Sequence, residues 1–103
     1  MSYACVQDVA ASWEQYERLA STTLEPAPAG LALHLAGPTD EGFRIITVWE
    51  NEAAWERFVA DRLRPAVAAL GGDVRPQPTF RELRPAHVVV GDGRLGQGVT
   101  LTQ

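Results

Sequence analysis

The chain has 103 residues, 46% hydrophobic and 21% charged, which suits one domain with a modest core and is too apolar for a disordered segment. Its net charge of -4 argues against a phosphate-binding surface, and so against nucleic acid as a partner. All nine basic residues are Arg, so lysine Schiff-base chemistry, a pyridoxal anchor and a Walker lysine are excluded. A single cysteine, Cys5, excludes an intramolecular disulfide and multi-thiolate metal sites. With only His34 and His87 besides, no metal or other cofactor is expected. Residues 1–8 lack the basic and apolar regions of a signal peptide, and no apolar run approaches the ~20 residues that span a bilayer. The expectation is a cytoplasmic protein with a free thiol and no membrane partner.

The first element in chain order is a strand over Tyr3–Val9. Ser12 and Gln15 form a capping box that opens a helix, with Trp13, Tyr16 and Leu19 or Ala20 on its apolar face. Ser21–Thr23 and the prolines at 26 and 28 are expected to end it in a loop. Leu31, Leu33 and Leu35 alternate with Ala32, His34 and Ala36, a period of two that predicts a second strand. A turn over 37–42 leads to a third strand, Phe43–Trp49. Asn51 caps a second helix carrying Trp55, Phe58, Val59, Leu63, Val67 and Leu70, interrupted at Pro65 and stopped at Gly71-Gly72-Asp73. Thr79–Leu83 and Ala86–Val90 read as a last strand broken by Pro85. The order β-α-β-β-α-β is that of a ferredoxin-like α+β fold with a four-stranded antiparallel sheet. Residues 1–90 form this domain and 91–103 a Gly-rich tail, expected to be flexible or to cross to a partner subunit.

The turn predicts His34 opposite Ile45 and Ala36 opposite Phe43. One hairpin face then holds Ala32, His34, Ala36, Phe43, Ile45, Thr47 and Trp49, and the other Leu31, Leu33, Leu35, Arg44, Ile46 and Val48. Two helices cover only one face. The second, with Leu31, Leu33, Leu35, Ile46 and Val48, is expected to join two copies in a homodimer. The first faces the helices, where the small Ala32 and Ala36 leave room for an apolar or aromatic ligand.

The segments Gly30–Pro38 and Val48-Trp49-Glu50-Asn51-Glu52-Ala53-Ala54-Trp55-Glu56-Arg57-Phe58 resemble those of small actinobacterial proteins of the antibiotic biosynthesis monooxygenase-like group, in the dimeric α+β barrel superfamily. The resemblance covers residues 3–88 and rests most on the V-W-E-x-x-x-A-W-x-x-F pattern. It implies a cofactor-independent protein of secondary metabolism, in a superfamily that holds aromatic-polyketide oxygenases, isomerases, cyclases and proteins without known activity. It also implies a pocket between sheet and helices, with Trp49 and Trp55 at lining positions. Oxygenase members place a polar amide four residues before the strand-end Trp; this chain has Ile45 there. The axial histidine of the haem-degrading members is missing from the second helix.

His34 is the candidate catalytic acid–base, since its ordinary pKa lies near neutrality. The alternative is a core histidine held by a backbone carbonyl or by Thr47. Trp49, Trp55, Ile45, Thr47, Phe43, Phe58, Tyr16, Ala32 and Ala36 are the candidate ligand contacts, and the aromatics among them also read as core. His87 is expected to be exposed, Arg44 to need a partner's carboxylate, and Arg62 and Arg64 to lie on a solvated helix face or at a pocket mouth. Gly91-Asp92-Gly93-Arg94-Leu95-Gly96 matches a dinucleotide fingerprint, but no helical pattern follows it, so the expectation is a flexible turn or a small hairpin closed by Asp92-Gly93 between Val88–Val90 and Val99–Leu101. Three readings follow: an enzyme oxygenating, cyclising or isomerising an apolar metabolite; a ligand-binding or accessory dimer; and a structural dimer whose core is filled.

Overall fold

Capping side chains set where the helices begin. The computed structural model of the chain describes residues 1–69, 79–96 and 98. Its elements are β1 (Tyr3–Val9), α1 (Trp13–Thr23), β2 (Leu31–Thr39), β3 (Gly42–Trp49), α2 (Glu52–Phe58), α3 (Arg64–Ala69) and β4 (Thr79–Leu83). Ser12 Oγ accepts from the Gln15 amide at 3.2 Å while Gln15 Oε1 accepts from the Ser12 amide at 3.0 Å, the reciprocal box its spacing predicts. Asn51 Oδ1 accepts from the Ala54 amide at 2.8 Å and opens α2. Helix α1 runs through Ser21–Thr23 instead of stopping before them, and these three hydroxyls donate back to the carbonyls of Arg18 and Leu19. A π-turn over Val59–Leu63 joins α2 to α3, with the Arg64 amide reaching the Val59 carbonyl. This widened turn comes just before Pro65, whose missing amide could not continue the ordinary ladder.

The four strands form one antiparallel sheet in the order β2-β3-β1-β4, a ferredoxin-like α+β arrangement. The hairpin register differs from expectation by two residues. His34 pairs with Thr47 and Ala36 with Ile45, because Gly37–Thr39 stay in the strand and only Asp40 and Glu41 turn. Pro38 is tolerated there because β2 is an edge strand. Gly42 lies so close to β1 that a Cβ would overlap the Val9 carbonyl. A two-residue shift preserves the strand period, so the predicted faces survive it. They change only at a bulge between Leu31 and Leu33, where Leu31 pairs with Trp49. Leu31 therefore packs against the core instead of joining the outer leucines, and Ala32 is exposed instead of facing the helices.

The core lies between the sheet and the helices. Tyr3, Cys5, Trp49, Ala54 and Phe58 are its buried centre, with Leu24, Leu31, Trp55, Val59 and Leu63 packed around them. The outer face stays open: Leu33 is 43% exposed, Leu35 44% and Leu83 62%. Residues 84–90 add no strand, so the expected Ala86–Val90 continuation is corrected; after Pro85 the chain leaves the sheet and Val88–Val90 are exposed. Leu70, the Gly71-Gly72-Asp73 stop and the Val99–Leu101 hairpin fall outside the described residues.

Candidate functional site

Alternation along β1 and β3 aims Tyr3, Cys5 and Gln7, and Phe43, Ile45, Thr47 and Trp49, at the helices. Trp49 is fully buried, and its indole N–H donates to Thr47 Oγ1 at 3.0 Å. The same hydroxyl lies 3.1 Å from Cys5 Sγ, across the strand pair. Thr47 thus satisfies two otherwise stranded polar groups, and no hydrogen bond joins it to His34 among the described residues. Burial pushes the Cys5 thiol up, against the opposing effect of Thr47, so it is a poor nucleophile. Tyr3 Oη donates to Glu82 at 2.8 Å, and burial together with that carboxylate drives its pKa upward.

The capping box places Tyr16 one turn into α1, over β2. Trp13 stacks on it with ring centroids 4.4 Å apart, and Phe43 lies 5.4 Å away on the sheet. Tyr16 Oη and His34 Nε2 are 2.7 Å apart, a close hydrogen bond. Burial lowers the His34 pKa and raises that of Tyr16, so both are neutral near pH 7. The other imidazole nitrogen, Nδ1, is buried and has no hydrogen-bond partner among the described residues.

A cavity of about 30 Å³ lies between this pair and the aromatics of the core. That volume has room for about one or two water molecules. Of the predicted contacts, Tyr16, His34, Ile45, Thr47, Trp49, Trp55 and Phe58 line it. Phe43 is buried instead beneath Trp13 and Tyr16, Ala36 is half-buried beside Ile45, and Ala32 is exposed at the bulge. Among the described residues no charged side chain lines the cavity. Sequence reasoning missed Gln7, whose carboxamide-bearing side chain lines the cavity directly across from Ile45. The period-two alternation Tyr3, Cys5, Gln7 carried that signal.

The arginines serve elsewhere. Arg62 donates to the carbonyls of Thr23, at 3.0 Å, and of Pro26. It therefore supplies the cation that the last turn of α1 lacks and neither waits at a pocket mouth nor lies solvated. Arg44 finds its carboxylate within the chain, at Asp8 2.6 Å away on the outer face. Arg84 pairs with Glu52 at 2.9 Å, while Arg64 and His87 are exposed. Among the described residues no three His, Cys, Asp or Glu side chains gather where they could hold a metal ion, and no helix is long and apolar enough to cross a membrane.

No protein-family model and no curated protein matches this sequence. Solved structures do. Rv0793 from Mycobacterium tuberculosis superposes with a TM-score of 0.71 at 11% identity, covering 87% of this chain and 100% of its own. A putative antibiotic biosynthesis monooxygenase from Caulobacter crescentus gives 0.64 at 12%, covering 84% and 91%. A variant of SnoaB, a cofactor-independent oxygenase from Streptomyces nogalater, gives 0.59 at 16%, covering 85% and 94%. The structural neighbours are thus antibiotic biosynthesis monooxygenase-like proteins, and at these identities the likeness establishes the fold. They span several organisms, including Methanosarcina mazei, so the actinobacterial part of the resemblance is not supported.

Proposed function

We propose that this chain processes a small, neutral, apolar or aromatic metabolite in the space between sheet and helices, without a cofactor. The observation that carries this reading is the Tyr16–His34 hydrogen bond on a largely apolar cavity wall that, among the described residues, carries no charged side chain. A neutral imidazole there can exchange a proton with a ligand, and the surrounding aromatics supply shape and exclude water. Proton transfer with cyclisation or isomerisation, and oxygenation through a substrate carbanion, are the reactions that fit. The working unit is a cytoplasmic homodimer joined through Leu33, Leu35, Ile46 and Val48, whose open apolar face asks for a cover.

A ligand of one or more rings exceeds the 30 Å³ present, so α1 must move away from α3 and the π-turn to admit it. The small volume itself favours a second reading, the structural dimer with a filled core. Tryptophan fluorescence separates the two readings. Saturable quenching of Trp49 and Trp55 by neutral aromatic ketones or phenols, weakened by Ala20→Phe, supports the ligand site. Absence of saturation across such a panel leaves the filled core. Once a turned-over ligand is found, His34→Ala should abolish turnover and keep binding; unchanged turnover removes His34 from the chemistry, and binding with no turnover in the parent chain marks an accessory protein.

A further inference from the structure

The cavity has a seam where the end of α1 meets the π-turn. Ala20, Thr23 and Leu24 line it from α1 and its C-terminal cap, and Leu63 lines it from the π-turn. Strands are joined by ladders of hydrogen bonds, whereas a seam between helices is held by side-chain packing and whatever single bonds cross it. Arg62, next to Leu63, crosses this one. Its Nη1 donates to the Thr23 carbonyl at 3.0 Å and to the Pro26 carbonyl in the loop that follows. Among the described residues these are the only hydrogen bonds from α1 or the loop 24–28 to α2, the π-turn or α3. The first is half-buried and the second exposed, so water can take over both acceptors without the sheet being disturbed.

We propose that Arg62 is a strap that closes the cavity, and that its release lets the end of α1 part from the π-turn and open the cavity to solvent. With both bonds made, α1 lies on the π-turn and the enclosed space is the 30 Å³ present. Two features place the strap at the cavity's own edge. It joins the backbone of one lining residue, Thr23, to the chain neighbour of another, Leu63. Its acceptors are main-chain carbonyls at a helix end that carries no basic side chain in its last turn, so the guanidinium holds the helix itself and complements its dipole. The strap rests on the proposed function only in taking the cavity as a space that exchanges its contents. It assumes nothing about what enters.

Hydrogen–deuterium exchange of the Trp49 indole N–H, followed by NMR on the 15N-labelled full chain, reads the strap without a ligand. Trp49 is fully buried, and both it and its acceptor Thr47 line the cavity, so this proton exchanges when solvent enters. Trp13→Phe and Trp55→Phe identify the other two indole signals. In the parent chain the Trp49 exchange rate should be nearly independent of low urea, the mark of a local opening, while the amides of the β1–β3 ladder follow the steep dependence of global unfolding. Arg62→Met keeps an apolar stem and removes the donors. It should raise the urea-independent rate about tenfold, the worth of one net hydrogen bond. Should that variant fail to fold, Arg62→Lys should raise the rate in the same direction by less. A Trp49 proton with the ladder's urea dependence in the parent chain overturns the proposal, because the cavity then opens only when the fold does. An unchanged urea-independent rate in the variant overturns it too, because the opening then leaves Arg62 in place. Absence of saturable quenching by aromatic ketones and phenols would remove the ligand site and not the strap; either exchange result would remove the strap and not the ligand site.

Discussion

The two faces of the sheet are built from the same strands and obey different rules. The helix-covered face is aromatic and polar-satisfied: Thr47 serves both Trp49 and Cys5, and Tyr3 is tied to Glu82. His34 Nδ1 is the exception. The open face is aliphatic, with Leu33, Leu35, Ile46 and Val48 presented together and the Asp8–Arg44 ion pair among them. Burial on the covered face must satisfy each polar atom, because water is gone. The open face needs only shape and apolar area, which a second copy of itself can match. A chain of this length thus offers one face of its strands to the proposed site and the other to the proposed interface.

The sharpest way to break this comparison is at the covered face. Trp49→Ala should cost about 3–5 kcal/mol, through lost burial and the cavity left behind; urea unfolding would show it, and a loss below about 1 kcal/mol would contradict Trp49 as the centre of the core. On the open face Ile46→Glu should leave the fold intact and weaken self-association by about 2–4 kcal/mol. Sedimentation equilibrium reads this, and a parent chain that is monomeric at micromolar concentration removes the interface. Thr47→Val, nearly the same volume, should cost about 1–3 kcal/mol because Trp49 Nε1–H and Cys5 lose their partner. A neutral result would place water on the indole.

The pH response is smaller and has a definite sign. Burial lowers the His34 pKa from its ordinary 6.5. Below that value the unfolded chain binds a proton that the folded chain refuses, so stability should fall as pH drops from 6.5 toward the lowered pKa. His34→Gln should flatten this part of the profile, and a profile unchanged by the substitution would mean that His34 is not desolvated. Asp8, held below its ordinary 3.8 chiefly by the hydrogen bond from Arg44, gives a loss of the same sign in more acidic solution. The smallest effect belongs to Arg44→Gln. Its ion pair is solvent-exposed and should be close to invisible in urea unfolding at neutral pH.

Several features of the fold were legible because they are local. The reciprocal Ser12–Gln15 box and the Asn51 cap lie within one turn of chain, and their spacing alone predicts the bonds that form. The faces of the hairpin were legible despite a wrong register, since a slip of two residues returns every side chain to its own side. Bulges have no such protection. Nothing in Gly30–Leu33 announces that Leu31 will turn inward to meet Trp49 and leave Ala32 in solvent. Gln7 was legible in principle, as the third member of an alternating set, yet a glutamine in a strand reads as a surface residue until its cross-strand neighbour Ile45 is known.

The sequence by itself determined the element order, the helix starts, the split of the hairpin into an aromatic and an aliphatic face, and the presence of His34 among the aromatics. These follow from the 3.6 and 2.0 residue periods and from capping chemistry, which act over a few residues. Only the tertiary structure decided what His34 touches. Thr47, one of the two partners open to a core histidine, bonds instead with Trp49 and Cys5, and His34 meets Tyr16, 18 positions away in the chain. The same holds for Arg62 on the carbonyls of Thr23 and Pro26, and for Asp8 beside Arg44. Such bonds depend on how a helix lies over a sheet to within a fraction of an ångström, and that placement is a property of the whole packed layer.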